Sequence, residues 1–185
     1  MKLKLFTALM LTSASLLTAT SHAACTAGTL ITLAKPDNMY LVDGGGTGNG
    51  AITDVATGLM WRVCSQGQTF SAGSCSGTAL TYNWKAALET AATMNADPVG
   101  LGSGYSDWRL PNVKELGSLA DRSCSAAPRI NITKFPLTQT AAAYWSSTPD
   151  KIAAANAWYV DFNLGIDGVG TKNTLRYVRL VRGGQ

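Results

Sequence analysis

The sequence predicts one α+β domain, and three observations predict it. Helical spacing of apolar residues is confined to two short stretches, near residues 84–94 and 112–120. From Ala143 onward, β-branched and aromatic residues alternate with polar or Gly-rich turns. No internal repeat or linker-like stretch interrupts the 185 residues, so both kinds of element are expected to share one core.

The N-terminus reads as an export signal. Lys2 and Lys4 precede an apolar run from Leu5 to Thr20, and Ser21-His22-Ala23 offers small residues at the two positions a signal peptidase reads. Residues 1–23 are expected to be removed, leaving 24–185 as the mature domain. Cys25 follows closely, but His22 stands where a lipid-attachment motif carries an aliphatic residue. No later apolar run reaches the roughly 20 residues of a membrane helix. The expectation is a secreted, periplasmic or cell-surface protein without a membrane span.

Loss of residues 1–23 from the 185 leaves 162, enough for an ordinary core. Lys2 and Lys4 leave with them, so 15 basic residues fall to 13 against 11 acidic, a net charge of +2. That is too weak to argue for nucleic acid. The only histidine, His22, also leaves, which excludes Ser-His-Asp and Cys-His catalysis and histidine-bearing zinc sites. No metal or cofactor is expected.

Four cysteines remain, and an exported chain pairs them. Cys64 and Cys75 enclose a Gly/Ser-rich loop with no room for a core element, so a local staple is expected there. Cys25 with Cys124 is then the second disulfide, tying the mature N-terminus to the middle of the domain.

In chain order, Met39 to Val42 is a short strand, followed by a Gly44-Gly45-Gly46 turn. Ile52 to Asp54 and Leu59 to Val63 are strands joined at Thr57-Gly58. A helix runs from Trp84 to about Met94, capped by Asn83, with Trp84, Ala87, Leu88, Ala91 and Ala92 on one face. Asp107-Trp108-Arg109 is a short strand stopped by Pro111. Asn112 and Glu115 then make a capping-box pattern for a helix to about Ala120, with Leu116 and Leu119 inward. Asp121 to Thr140 is irregular; its Asn131-Ile132-Thr133 fits a glycosylation acceptor, discounted in a bacterial-looking chain. Tyr144 to Ser147, Ala157 to Phe162 and Leu175 to Val181 are the final strands. Tyr177, Arg179 and Val181 share one face of the last.

Four motifs recur together in a known family: Asp107-Trp108-Arg109-Leu110-Pro111-Asn112, Tyr144-Trp145-Ser146-Ser147, Ala157-Trp158-Tyr159-Val160-Asp161-Phe162, and Arg179-Leu180-Val181-Arg182-Gly183-Gly184. With Asp54 ahead of Thr57-Gly58-Leu59-Met60-Trp61, they make the chain from about Asp54 to Gly184 resemble the C-terminal domain family of the Legionella collagen-like adhesin. That family is related in fold to C-type lectins and the formylglycine-generating enzyme. The resemblance implies a C-type-lectin-like fold: a twisted antiparallel sheet, two flanking helices and long loops. It also implies an adhesin-like recognition module. The Glu-Pro-Asn and Trp-Asn-Asp motifs of calcium-dependent lectins are absent, as is a collagen-like repeat.

Three functional classes follow. The first is a non-catalytic module that binds a glycan or surface protein through loops between Ser147 and Lys172. Its candidate ligand residues are Asp150, Lys151 and Asn156 before one strand, and Asn163, Asp167, Lys172 and Asn173 after it. Trp145 and Trp158 are read as core. The second is a periplasmic assembly subunit with a protein partner. The third is a glycoside hydrolase using two of Asp107, Glu115, Asp121, Asp161 and Asp167. Formylglycine-type oxidation needs reactive cysteines late in the fold, and no cysteine follows Cys124.

Overall fold

In a computed structural model of the chain, residues 35–42, 50–98, 104–124 and 126–183 are described. The expected signal peptide, Cys25 and the Gly44-Gly45-Gly46 turn lie outside them. The described chain is a mixed α+β structure, mostly sheet with two helices.

Strand β1 (Tyr40–Val42) pairs antiparallel with β2 (Ala51–Asp54), and β2 pairs antiparallel with β3 (Met60–Arg62). The β2–β3 turn comes where Thr57-Gly58 predicts it, closed by Gly58 N–H donating to the Asp54 carbonyl at 2.8 Å. Asp54 is fully buried because its carboxylate is spoken for: it accepts from Ala56 N–H and pairs with Lys35 Nζ at 3.2 Å. A buried carboxylate without such partners would cost several kcal/mol, on the order given for buried ions.

The Cys64–Cys75 disulfide is present. The segment it encloses is more ordered than a loop. Strands β4 (Thr69–Ser71) and β5 (Ser74–Ser76) form a hairpin in which Phe70 sits opposite Cys75 and packs on the core. The second expected disulfide involves Cys25, outside the described residues; Cys124 itself is buried.

After the short strand β6 (Thr81–Tyr82), helix α1 (Trp84–Ala96) begins at Asn83, whose side chain accepts from Ala86 N–H at 2.9 Å. Its buried face is Ala87, Thr90, Ala91 and Met94. The expected face is therefore rotated: Leu88 and Ala92 turn outward. Thr90 can sit inside because its hydroxyl donates to the Ala87 carbonyl at 2.7 Å, the local bond that satisfies a helical threonine.

Trp108 is buried, but Asp107 to Arg109 forms a single antiparallel bridge from Arg109 to Val181 rather than a strand. Helix α2 (Val113–Gly117) carries the complete capping box, with Asn112 accepting from Glu115 N–H and Glu115 accepting from Asn112 N–H. It is shorter than expected. The chain continues to Ala120 in i→i+3 turns, which still bring Leu119 into the core. Asn131 is buried, with its amide bonded to Lys35 O, Asp37 Oδ1 and Lys134 N–H, so its surroundings are those of a structural residue.

The C-terminal half contributes β7 (Tyr144–Pro149), β8 (Asn156–Asp161) and β9 (Ile166–Thr171). The last of these is a strand where the sequence reading has a connection. The expected final strand divides into β10 (Arg176–Tyr177) and β11 (Val181–Arg182), which belong to different sheets. One sheet runs β6-β10-β7-β8-β9 and the other β1-β2-β3-β11. The β10–β7 pair is parallel, so the sheet is not purely antiparallel.

Residues 178–180 cross between the sheets and are buried throughout, which overrides the alternation expected of a half-exposed strand. Arg179 pins the crossing. Its guanidinium donates to the carbonyls of Arg62 and Val63 and to Thr138 Oγ1, and lies 4.8 Å from the Phe135 ring centre.

Two apolar clusters flank the five-stranded sheet. Tyr144 and Val160 face the cluster of Trp61, Leu116, Leu119, Phe135 and Phe162. Their neighbours in sequence, Trp145 and Tyr159, face the cluster of Ala87, Ala91, Met94, Trp108 and Leu180. The period of two along each strand thus feeds both cores. Trp145 is core as expected, whereas Trp158 is half-buried.

Candidate functional site

The candidate site grows out of two glycines in β9. Tyr159 on β8 lies directly opposite Gly168, and Ala157 opposite Gly170. A Cβ on Gly168 would sit 2.6 Å from the Tyr159 hydroxyl oxygen, and one on Gly170 would sit 2.6 Å from Arg176 Nη2. Glycine in a strand weakens it unless something approaches the backbone closely. Here the Tyr159 ring and the Arg176 guanidinium lie on the bare backbone.

These two groups are stacked, with Arg176 Cζ 3.7 Å from the Tyr159 ring centre and 4.9 Å from that of buried Trp145. Trp145 meets Tyr159 edge-on at 6.5 Å and donates its indole N–H to the Tyr82 carbonyl at 2.9 Å. Trp84, at the start of α1, is fixed by its indole N–H on the Ser146 carbonyl at 2.8 Å. Lys172 Nζ lies 4.4 Å over the Trp84 ring and donates to the Ala154 carbonyl at 2.7 Å. Tyr82, Trp84 and Tyr159 all pack against the same core cluster, and all are half-exposed. The result is a shelf of aromatic rings bordered by two cations.

Burial holds the Arg176 guanidinium below its usual pKa range, with Tyr159 and Asp161 pulling the other way. Its Nε is buried, and among the described residues the guanidinium makes no hydrogen bond. Burial likewise raises the Tyr82 hydroxyl. Elsewhere, desolvation alone pushes Arg62 down to about 10.

The structure divides the ligand residues named from the sequence between two ends of the sheet. Asp150, Lys151, Asn156, Lys172 and Asn173 gather at one end, where Asn156 opposes Thr171 and Lys172 N–H donates to the Ala155 carbonyl. Asp150 caps its own turn, accepting from Ile152 and Ala153 N–H. Lys151 and Asn173 are exposed. Asn163 and Asp167 lie at the opposite end, a strand length of about 17 Å away. There Asn163 N–H donates to Asp161 Oδ1, and Asp167 makes an exposed ion pair with Arg122 at 3.6 Å. One compact ligand does not touch both groups.

Of the shelf, the sequence reading named only Lys172 as a ligand residue. The missed signal was Gly168-Val169-Gly170, alternate glycines beside a Trp-Tyr strand, which marks an aromatic ring lying across a sheet.

The carboxylates named for hydrolysis are each engaged. Arg109 forks onto Glu115 at 2.7 and 2.8 Å, and Arg182 meets Asp107 at 2.6 Å. Asp121 is buried, accepting from Ser123 and from Lys35 N–H. Burial pushes the Glu115 carboxyl up, but the Arg109 fork and the Asn112 N–H outweigh it and hold it below the usual range. The Arg182 hydrogen bond does the same for Asp107.

A separate cleft of about 360 Å³ lies beside β2, lined by Val42, Ile52, Val63, Phe70, Lys134 and Pro136. It is chiefly apolar. Among the described residues, no helix is long and apolar enough to cross a membrane.

Residues 50–182 match the Lcl C-terminal domain family. The chain belongs to that family. The match takes in every strand from β2 to β11, both helices and the whole aromatic shelf. No curated protein is similar enough to the chain to count as a match. The family membership is consistent with an adhesin-like module.

Proposed function

We propose that this protein is an exported, non-catalytic recognition module built as a single C-type-lectin-like domain, and that it binds a glycan on the shelf of Tyr82, Trp84 and Tyr159. Lys172, Arg176 and the adjoining turns at Asp150, Lys151, Asn156 and Asn173 would supply polar contacts. Cys25 would pair with Cys124 to complete the scaffold.

The observation that carries this reading is the glycine floor. Two strand positions give up their side chains so that a tyrosine and an arginine lie flat at the surface, beside aromatic rings already held by indole hydrogen bonds. Half-exposed rings with fixed orientation suit the apolar face of a pyranose, and the charged borders suit its hydroxyls. The engagement of Asp107, Glu115, Asp121, Asp161 and Asp167 in structural contacts favours binding over hydrolysis.

A glycan-array screen of the oxidised mature protein, with and without a chelator, tests the reading. Selective binding weakened at least tenfold by Tyr159→Ala supports it; binding untouched by that change contradicts it. A second reading, a periplasmic assembly subunit with a protein partner, is favoured by exposed Leu164, Ile166 and Val169 at and along the edge strand β9. Stable co-purification of an envelope protein, lost on Ile166→Lys, would support that alternative.

A further inference from the structure

Arg176 is an unusual group to leave without a hydrogen bond. Its flat face is occupied by the Tyr159 ring at 3.7 Å and its near side by Trp145 and the Gly170 backbone. It makes no ion pair among the described residues, and the Asp161 carboxylate favours its charged form only from beyond ion-pair distance. By contrast, Arg109, Arg122 and Arg182 each meet a carboxylate, and both Nη groups of Arg179 donate to carbonyls or a hydroxyl, its buried Nε alone lacking a partner among the described residues. A guanidinium immobilised by stacking has already lost the freedom that a binding event would otherwise remove, while its Nη groups, unlike the buried Nε, remain available.

We propose that the shelf selects a sugar acid, with the Arg176 guanidinium as the fork that takes the ligand's carboxylate. This rests on the glycan reading given above and adds its chemical class. The geometry favours a carboxylate over a hydroxyl, because two coplanar N–H donors match two coplanar oxygens, and ionised acceptors make the stronger bonds. It favours a single fork over a polyanion track, because the mature chain carries a net charge of only +2, with 13 basic against 11 acidic residues. The neighbouring cation, Lys172, is already bonded to a carbonyl and seated on Trp84. The Tyr159 hydroxyl also makes no hydrogen bond among the described residues and can donate to a ring oxygen or hydroxyl beside the carboxylate.

The test titrates the protein with oligosaccharides of glucuronate, galacturonate and N-acetylneuraminate, each beside its methyl ester, which keeps the sugar and removes the charge. At least one acid is expected to bind ten-fold or more tightly than its ester. Arg176→Gln should abolish that difference, and Arg176→Lys, which keeps the charge without the fork, should recover less than a tenth of the affinity. Acid and ester binding alike would overturn the sugar-acid assignment and leave the glycan reading standing. Failure of acids, esters and neutral glycans together would remove both. An Arg176→Lys protein with full affinity would overturn the fork. The acid–ester comparison is made on the unaltered protein, so it holds even where a variant folds poorly.

Discussion

An alanine at position 168 would place its Cβ 2.6 Å from the Tyr159 hydroxyl oxygen and 2.7 Å from Cζ. Carbon atoms rest at about 3.5–4.0 Å, so the ring must lift by roughly 1 Å. The backbone itself can accept alanine, since the Gly168 φ lies outside the left-handed region. The perturbation therefore falls on the ring. Lifting it weakens the Arg176 stack, about 0.5–1 kcal/mol at a partly exposed site, and the Trp145 edge contact, about 0.5–1.5 kcal/mol. Against this, alanine restricts the unfolded chain and returns about 0.4–1 kcal/mol. The net loss is about 0–2 kcal/mol, small beside the roughly 5–15 kcal/mol of a typical domain. Urea denaturation of Gly168→Ala should show that small change. Meanwhile the Tyr159 ring and Arg176 Nε–H resonances should shift, and glycan affinity should fall about tenfold. Loss of more than about 3 kcal/mol, the scale of a core truncation, would mean that Tyr159 is part of the core. Unmoved ring resonances would mean that the ring does not rest on the glycine floor.

Other consequences concern the scaffold. Glu115→Gln keeps the size of the side chain but removes a charge-assisted fork on Arg109, and should cost about 1.5–3 kcal/mol in a denaturant titration. Because the Glu115 carboxyl is held below its ordinary 4.5, its contribution is present above that pH and fades as pH falls through the lowered folded value. Acid unfolding of the wild type should thus steepen below about pH 4.5, and Glu115→Gln should flatten that region. Arg179→Lys buries a charge with too few well-placed donors for Arg62 O, Val63 O and Thr138 Oγ1. One or two stranded acceptors should cost about 2–4 kcal/mol; a loss under about 0.5 kcal/mol would contradict the pinning role. The paired change Cys64→Ser with Cys75→Ser opens a loop with a sequence separation of 11. It should lower stability by about 3 kcal/mol on the loop-entropy estimate, read as a drop in thermal midpoint absent under reducing conditions.

Much of the scaffold is legible because its signals are local. Asn83 and Asn112 cap helices through bonds to residues three positions on, and Thr57-Gly58 turns a hairpin within five residues. The errors arise where distant contacts decide. The buried face of α1 shifted because Thr90 satisfies its own hydroxyl, which hydropathy counts as polar. The last strand divided because residues 178–180 are covered on both sides by segments far away in sequence. β9 was unreadable because its glycines look like a loop until Tyr159 and Arg176 are placed over them. The candidate site follows the same rule. Exposed Asn and Asp residues advertise themselves, but sequence spacing hides that Asn163 and Asp167 stand at the other end of the sheet from Asp150 and Lys172.

The most direct test of the aromatic shelf as the binding surface is a resonance map of the ¹³C,¹⁵N-labelled protein titrated with the strongest array ligand. Perturbations centred on Tyr82, Trp84, Tyr159, Lys172 and Arg176 are the predicted result. Perturbations centred instead on Ile52, Phe70 and Lys134 around the apolar cleft, with the Tyr159 ring unmoved, would contradict it.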